Sequence, residues 1–381
     1  MKIIPVYLPQ FHCIPENNKW WGDGFTEWVN VKAARPLFEG HYQPRIPLNQ
    51  NYYNLKEIEN IKWQAKIAKE HGIYGWSIYH YWFNGHLLLE KPMELLLAHP
   101  EIDIKYCICW ANHDWTNSWK AINGRIDTLI AHDFDDEKDW ENHFNYMLPF
   151  FKDRRYICED NKPFLTIYIP QTIKKLTKML SLWNKMAIDN GFDGIKYLYQ
   201  NAPAFLDKTW DRSLFSYGIQ FNPDYAIYVS KFRIKGLIYS LVIRYARIIK
   251  RFLHIKRGLD MRQGMGGLTK YEYDEIWDQI LNARPDSDNT IPSIPSAYVD
   301  WDNTPRRQNR GVVHVGASPE KFKKYFRQLV LNTRKYYHQD KIFFFAWNEW
   351  AEGGYLEPDE KFGYAYLEAV RDVLIELKEM E

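Results

Sequence analysis

The sequence of 381 residues has few cysteines and no long apolar run, and both shortages narrow its class. Its four cysteines, Cys13, Cys107, Cys109 and Cys158, form neither a C-x-x-C pair nor a regular framework. We therefore expect reduced, buried thiols in a reducing compartment. No run of 18 apolar residues occurs, so we expect no transmembrane helix.

An excess of one charge sign is also missing. The 50 basic and 48 acidic side chains leave a formal charge of +2, which gives no reason to expect nucleic acid as a partner. The opening residues MKIIPVYLPQFH enter a predicted strand within two residues. This leaves no room for the charged region, apolar region and cleavage site of a signal peptide. The expected location is therefore cytoplasmic.

Motifs that bind phosphate or metal are scarce. No G-x-x-x-x-G-K-[ST] occurs, and GMGG at 264–267 lacks dinucleotide spacing and does not follow a predicted strand. Two D-x-D triplets, at 286–288 and 300–302, are of a kind that is common by chance. Histidine and cysteine show no zinc spacing. We expect neither a metal nor a cofactor.

Aromatic residues, by contrast, are abundant. The chain has 16 Trp, 27 Tyr and 21 Phe, which is more large rings than a core needs. The faces of Trp and Tyr are a usual surface for stacking sugar rings. Composition alone thus hints at a carbohydrate ligand.

Short apolar and β-branched runs alternate with helical patterns along the whole chain. Strands are predicted near 3–8, 75–81, 105–110, 164–169, 196–200, 214–221, 291–298 and 342–347, with helices including 55–72, 180–191, 273–284, 319–337 and 364–380. Eight strands alternating with helices predict a (β/α)8 barrel, which needs about 250 residues, as a single domain over 1–381. A doubly wound parallel sheet is the alternative.

One basic segment exceeds a minimal barrel. Residues 230–258, SKFRIKGLIYSLVIRYARIIKRFLHIKRG, contain no acid and combine an apolar helical stripe with a basic face, within an insertion of about 230–262 between strands six and seven. Such a helix could lie on the anionic inner membrane, where each basic side chain near the surface adds about 1 kcal/mol. It could equally be a barrel helix with a cationic solvent face, or a helix that docks a partner.

Two acids follow the last predicted strand, in FFFAWNEWAEGGYLEPD at 343–359. Glu349 and Glu352 are three positions apart and are flanked by Trp347 and Trp350. Barrel enzymes place their chemistry at the carboxyl ends of the strands. Cleaving or making a glycosidic bond needs two such acids, and neighbouring indoles would exclude water and raise the pKa of one. The alternative is an N-capping or salt-bridging pair at the start of the last helix.

Several long blocks carry a resemblance to a known family. They are YLPQFHCIPENNKWWGDGFTEWVNVKAARPLFEGHYQPRIPL, YGWSIYHYWFNGHLLLEKP, CICWANHDWTNSW, DNTPRR and AWNEWAEGGYLEPD. They resemble the WbsX family of bacterial surface-polysaccharide proteins, related to glycoside hydrolase family 99. The resemblance covers nearly the whole chain and implies a (β/α)8 barrel. It also implies a retaining reaction through a 1,2-anhydro sugar, with Glu349 taking the proton of the 2-hydroxyl and Glu352 as general acid/base.

The resemblance also suggests residues that contact the substrate. Where relatives usually read WANENW this chain reads WANHDW, so His113 and Asp114 replace a Glu–Asn pair. The expected substrate-binding residues are Gln10, Glu27, Trp28, Tyr81, Trp110, Asn112, His113, Trp301, Asp302, Arg306, Trp347, Asn348 and Trp350.

Three functions follow as hypotheses. The first is glycosyl transfer in bacterial surface-polysaccharide (O-antigen or capsule) biosynthesis, in the cytoplasm at the inner face of the membrane, on an oligosaccharide or lipid-linked glycan. The second is a retaining endo-glycosidase of endo-mannosidase type. The third is a non-catalytic carbohydrate-binding protein.

Overall fold

Parallel strands dominate the computed structural model, which describes residues 1–118, 126–201, 210–227, 267–285 and 291–380. The basic segment predicted as an insertion, 230–262, lies outside the described residues. The strands are β1 (Lys2–Tyr7), β2 (Gly75–Phe83), β3 (His86–Leu88), β4 (Lys105–Trp110), β5 (Trp115–Thr116), β6 (Thr128–Ile130), β7 (Cys158–Glu159), β8 (Lys162–Ile167), β9 (Lys196–Asn201), β10 (Phe215–Gln220), β11 (Thr269–Glu272), β12 (Ser293–Ile294), β13 (Ser296–Tyr298), β14 (Val312–Val315), β15 (Lys341–Phe345), β16 (Asn348–Glu349) and β17 (Gly354–Tyr355).

Eight strand positions close into a parallel ring. The hydrogen-bonded order is β12, β10, β9, β8, β4, β2, β1, β15 and β13. Only Pro295 separates β12 from β13, and these two halves of one strand pair with β10 and β15 respectively. Proline lacks the N–H that a continuous ladder needs, which explains the break. All eight predicted strands are present, so the (β/α)8 barrel is confirmed and the doubly wound alternative is wrong.

Helices cover the outside of the ring. They are α1 (Pro15–Trp21), α2 (Glu27–Ala33), α3 (Ile58–Glu70), α4 (Lys91–Ala98), α5 (Glu137–Phe151), α6 (Leu176–Asp189), α7 (Tyr273–Asn282), α8 (Thr304–Arg307), α9 (Pro319–Asn332) and α10 (Ala365–Glu376). Each of the five predicted helices has a counterpart among them. Of the helices within the described ranges, none is long and apolar enough to cross a membrane.

Local sequence explains where these helices begin. The Ser318 hydroxyl accepts a hydrogen bond from the Lys321 backbone N–H, and Pro319 occupies the first turn of α9. The Asp136 carboxylate caps α5 in the same way. Side-chain oxygens at these positions satisfy backbone donors that have no partner within the helix.

Large aromatic side chains fill the core. Trp76, Trp183, Trp277 and Trp347 are fully buried within one continuous apolar cluster. The four cysteines are free, as expected, but only Cys107 and Cys109 are buried. Cys13 and Cys158 are exposed because they lie outside the ring strands' buried faces, so the expectation of four buried thiols was wrong for these two.

Candidate active site

The acid motif leaves the barrel through a short ribbon. After β15, the Trp347 N–H donates to the Val6 carbonyl at 2.7 Å, and β16 then pairs with β17. Glu349 ends β16, and Glu352 ends the 3-10 turn Trp350–Glu352. Gly353 follows with φ of +69°, where an added Cβ would lie 2.9 Å from the Asp302 backbone nitrogen. A glycine is therefore required for this turn to close on its neighbour.

Arg306, on α8, joins both acids to a third. Its Nη1 lies 2.7 Å from Glu352 Oε1, its Nη2 3.2 Å from Glu349 Oε2, and its Nε 3.1 Å from Glu27 Oε2. One guanidinium thus contacts three carboxylates, using the fixed fork of donors that arginine provides. The sequence-predicted residues Glu27, Arg306, Glu349 and Glu352 are brought together.

The environment separates the two predicted catalytic acids. The Glu349 side chain is 6% exposed and that of Glu352 is 21% exposed. Burial raises the pKa of Glu349 to about 8; Arg306 opposes the rise, and the charges of Glu352 and Glu27 add to it. The expectation that one acid of the pair has a raised pKa therefore holds for Glu349.

Glu27 is anchored by the loop that follows β1. It begins α2, and its N–H donates to the Gln10 carbonyl at 3.1 Å. The Gln10 side chain is hydrogen-bonded to Tyr81. Burial raises the pKa of Tyr81, and the nearby Glu349 carboxylate raises it further. Glu27 Oε1 is buried with no hydrogen-bond partner among the described residues. A donor from a bound ligand would satisfy it.

Asp302 holds the turn that carries Glu352. Its carboxylate accepts hydrogen bonds from His41 at 2.8 Å and Gln43 at 2.7 Å, and from Thr304. Its backbone N–H donates to the Glu352 carbonyl at 2.8 Å. Burial alone would raise the pKa of Asp302, but these hydrogen bonds and the Arg45 charge lower it to about 2. Asp302 thus remains ionised and fixes Glu352 in place.

Three predicted tryptophans form the wall behind the acids. Trp28, Trp347 and Trp350 are at most 5% exposed. Trp350 stacks on Tyr355 with ring centroids 3.8 Å apart and donates its indole N–H to Glu357 at 2.7 Å. Burial raises the pKa of Glu357 to about 7 despite these donors. That these indoles exclude water from the acids or contact a substrate stays a prediction.

Two predicted asparagines join neighbouring strand ends. Asn348 accepts from the Leu8 N–H at 2.7 Å and donates to the Leu8 carbonyl at 3.0 Å. Asn112 makes the same pair of bonds with Ile169, at 2.7 and 2.8 Å. Both are at most 1% exposed, so each amide replaces ladder bonds where two strands end. A substrate contact by either residue stays a prediction.

The other predicted contacts are spread around the rim. Trp110 is buried beside His143 and Trp82, lining a cavity of about 10 Å³ that is large enough for one water. His113 is accessible and its ring lies 5.3 Å from that of Tyr168. Trp301 is half-buried against Phe345, with ring centroids 5.3 Å apart.

Sequence analysis missed Tyr168. Burial raises its pKa, and the nearby carboxylates of Asp224, Glu352 and Glu349 raise it further. It therefore lies at the same end of the barrel as both acids. Tyr168 lies inside the predicted strand 164–169, whereas β8 ends at Ile167, so the predicted boundary concealed its position at the strand end.

The described residues contain no cluster of His, Cys, Asp and Glu that could hold a metal ion. In the D-x-D triplet at 300–302, the Asp300 carboxylate pairs with Arg45 at 2.7 Å and Asp302 is engaged as above. The other triplet, at 286–288, lies outside the described residues.

The chain is similar to known proteins along nearly its whole length. The sequence profile of "Glycosyltransferase WbsX" matches residues 3–370. Proteins named "Uncharacterized protein WxcX" from two strains of Xanthomonas campestris pv. campestris are 32% identical over 376 residues, covering 98% of this chain and 49% of theirs. The chain therefore spans about half the length of these curated relatives.

Solved structures share the fold at low identity. A family 99 endo-α-mannosidase from Bacteroides thetaiotaomicron aligns with a TM-score of 0.56 at 12% identity, covering 99% of this chain and 98% of the other. A "Glycoside hydrolase-like protein" aligns at 0.55 and 12%, covering 92% and 99%. These likenesses establish a barrel of the family 99 type, and the profile match establishes the family. The chain belongs to the WbsX glycosyltransferase family.

Proposed function

We propose that this enzyme transfers a glycosyl group with retention of configuration, using Glu349 and Glu352 as its catalytic pair. One observation carries the proposal. Arg306 contacts both carboxylates through its two terminal nitrogens, while the two acids differ in exposure and Glu349 has a raised pKa. Pairs of acids whose environments differ in this way are typical of glycosidic-bond chemistry.

In the first step Glu349 acts as the base. A carboxylate with a raised pKa is a stronger base, and with a pKa of about 8 the ionised form of Glu349 that acts here is the minority form at neutral pH and grows as pH rises. Glu349 takes the proton of the donor sugar's 2-hydroxyl, and that oxygen bonds to the anomeric carbon. The bond from this carbon to the leaving oxygen breaks, and Glu352 gives its proton to the leaving oxygen.

In the second step the acceptor hydroxyl passes its proton to Glu352 and attacks the anomeric carbon. The anhydro ring opens, and Glu349 returns its proton to the 2-oxygen. Arg306 touches both acids and so favours whichever is ionised at each stage. The roles of the two glutamates are those that the family resemblance suggests.

The acceptor distinguishes transfer from hydrolysis. The name of the matching family favours a sugar acceptor. The fold neighbour described as an endo-α-mannosidase favours water, which makes an endo-glycosidase the second candidate. Transfer to an oligosaccharide or lipid-linked glycan at the inner face of the cytoplasmic membrane is our preferred form. The acid-free sequence at 230–258 supports that location, because basic amphipathic segments bind anionic lipids.

Product analysis tests the proposal. Wild type, Glu352→Gln and the exposed control Glu368→Gln are incubated with surface-polysaccharide intermediates, with and without sugar nucleotides, and the products are weighed by mass spectrometry. We expect Glu352→Gln to be slower by about 10²- to 10⁴-fold and the control to match wild type.

The products identify the reaction. Oligosaccharides that become longer only when the sugar nucleotide is present indicate a transferase. Oligosaccharides that become shorter without the sugar nucleotide indicate an endo-glycosidase. Equal turnover by wild type and Glu352→Gln would remove the catalytic assignment and favour a carbohydrate-binding protein.

A further inference from the structure

A second groove lies outside the cluster around Arg306. Its volume is about 540 Å³, and its lining includes the amides Asn49, Gln50 and Asn51 and the rings Tyr52, Trp63 and Tyr364. We call it the amide groove. It is formed by the loop that precedes α3, by α3 itself, and by the segment between β17 and α10. This volume exceeds that of a single hexose and suits an oligosaccharide segment.

The polar groups of the groove are unused within the protein. Among the described residues, none hydrogen-bonds the side-chain amides of Asn49, Gln50 or Asn51, the Trp63 indole N–H or the Tyr364 hydroxyl. Asn49 and Gln50 are exposed, and both rings are half-buried. The groove therefore presents fixed rings and several donors and acceptors to one shared space.

The backbone that presents these amides is held in an unfavourable conformation. Asn49 and Gln50 have φ values of 57° and 53°, in the left-handed region that residues other than glycine rarely adopt. The loop is fixed by hydrogen bonds from Gln50 N to Pro47 O at 2.8 Å and from Leu48 N to Pro358 O at 3.0 Å. Such conformations persist where the surroundings enforce them and often mark functional surfaces.

The lining selects a chemical class of ligand. No charged residue is among the described residues that line the groove, so neither an anion nor a cation is favoured. One face of Tyr52 is covered by Lys32, whose Nζ lies 4.0 Å from the ring centroid, and one face of Tyr364 is stacked on His71 at 5.7 Å, so Trp63 is the better platform. Rings pack against the C–H faces of sugars, and amides pair with neighbouring hydroxyls. A neutral oligosaccharide has both features.

The groove lies behind the wall of the proposed active site. The Tyr52 ring contacts Trp28 at 5.2 Å, and Trp28 lies 5.5 Å from Trp350, which precedes Glu352 by two residues. We propose that the amide groove is a second, non-catalytic site that binds a neutral segment of the glycan on which the enzyme acts. The choice of glycan as ligand rests on the proposed function.

Calorimetric titration of the full chain tests this site. The parent is Glu352→Gln, in which turnover is expected to be slow, and the probes are neutral linear hexasaccharides of mannose, glucose and galactose. Asn49→Gly with Gln50→Gly removes both amides, and glycine tolerates the left-handed backbone. The matched control is Asn161→Gly, which replaces an exposed asparagine with φ of 53° elsewhere in the chain.

We expect at least one probe to bind at a site whose dissociation constant rises about ten-fold in the double variant and is unchanged in the control. Failure of every probe to bind, or equal affinity for the parent and the double variant, would overturn the site. Proposed catalysis is judged separately, by the products of the wild type. If the titration overturns the groove, the proposed catalysis still stands. If Glu352→Gln turns over as fast as wild type, the catalytic assignment fails, but the comparison of dissociation constants between the parent and the double variant is unaffected.

Discussion

Both ends of the barrel carry a cluster of ionised side chains, and the two clusters differ in their balance of charge. At the amino ends of the strands, Lys341 contacts Glu159 at 2.7 Å and Asp340 at 2.8 Å. Lys196 and Lys2 bind the same two acids, each at 2.8 Å. At the carboxyl ends, Arg306 alone faces three carboxylates.

The different ratios of cations to acids at the two ends give Glu159 and Glu349 opposite pKa shifts. Burial would raise the pKa of Glu159, but hydrogen bonds from Lys196 and Lys341 outweigh it and lower the pKa. At the other end burial prevails, and the pKa of Glu349 rises to about 8. The same residue type is thus a stable anion at one end, whereas at the other end it keeps its proton up to a pH of about 8. Uncompensated acids are typical of functional sites, where reactivity outweighs stability.

Removing the cation that joins the three acids at the carboxyl ends should have the largest effect. We expect Arg306→Gln to lower the free energy of unfolding at pH 8 by about 3–5 kcal/mol, because three carboxylates lose their partner. The loss should shrink at acidic pH as the acids protonate. Urea unfolding measures it, with the exposed neighbour Arg307→Gln as control. Equal midpoints for the two variants would contradict the charge argument.

Removing one of several cations at the opposite end should cost less. Lys341→Met leaves Lys196 on Glu159 and Lys2 on Asp340, so we expect a loss of about 2–3 kcal/mol. The Lys341 side chain is 4% exposed. The control variant is Lys66→Met, because the Lys66 side chain is 73% exposed. Denaturant midpoints compare the two. A loss as small as that of Lys66→Met would show that the balanced cluster does not depend on Lys341.

The pH dependence of stability should show the smallest effect. Glu349 has a pKa of about 8 in the folded protein against an ordinary value of 4.5, so the folded state binds more protons between these values. Stability should therefore fall as pH rises from about 5 to 8. Glu349→Gln removes this contribution but also takes one partner from Arg306, so the gain over wild type at pH 8 should be only about 1 kcal/mol. Glu368→Gln, an exposed control on α10, should follow wild type, and parallel curves for all three proteins would contradict the assignment.

The barrel was predictable because each strand is a short apolar run that ends in polar residues. The interruption at Pro295 was not anticipated within the run 291–298, since each half of that strand depends on a different neighbour. The ribbons β5–β6, β11–β14 and β16–β17 were also missed. Their strands have two to four residues, too few to show a period, and tertiary contacts decide them.

The members of the site were predictable, but their connections were not. Glu349 and Glu352 are neighbours in sequence, whereas Glu27 and Arg306 are 279 positions apart. Local patterns carry no information about such pairs. Asn112 and Asn348 were predicted to contact a substrate because polar residues after a strand often bind ligands. In the structure their amides bind the backbone of a neighbouring strand end.

The asparagines at the strand ends have a consequence for how this enzyme can change. Asn348 and Asn112 each link the ends of two adjacent strands, and Asn222 joins a third pair through Ser296, donating from Nδ2 to its carbonyl at 2.8 Å. These hydrogen bonds hold neighbouring strands together at the points where the loops begin. Loops beyond these hydrogen bonds can be lengthened, shortened or exchanged without unzipping strand pairs, so specificity for a new glycan can diversify on a frame that stays constant.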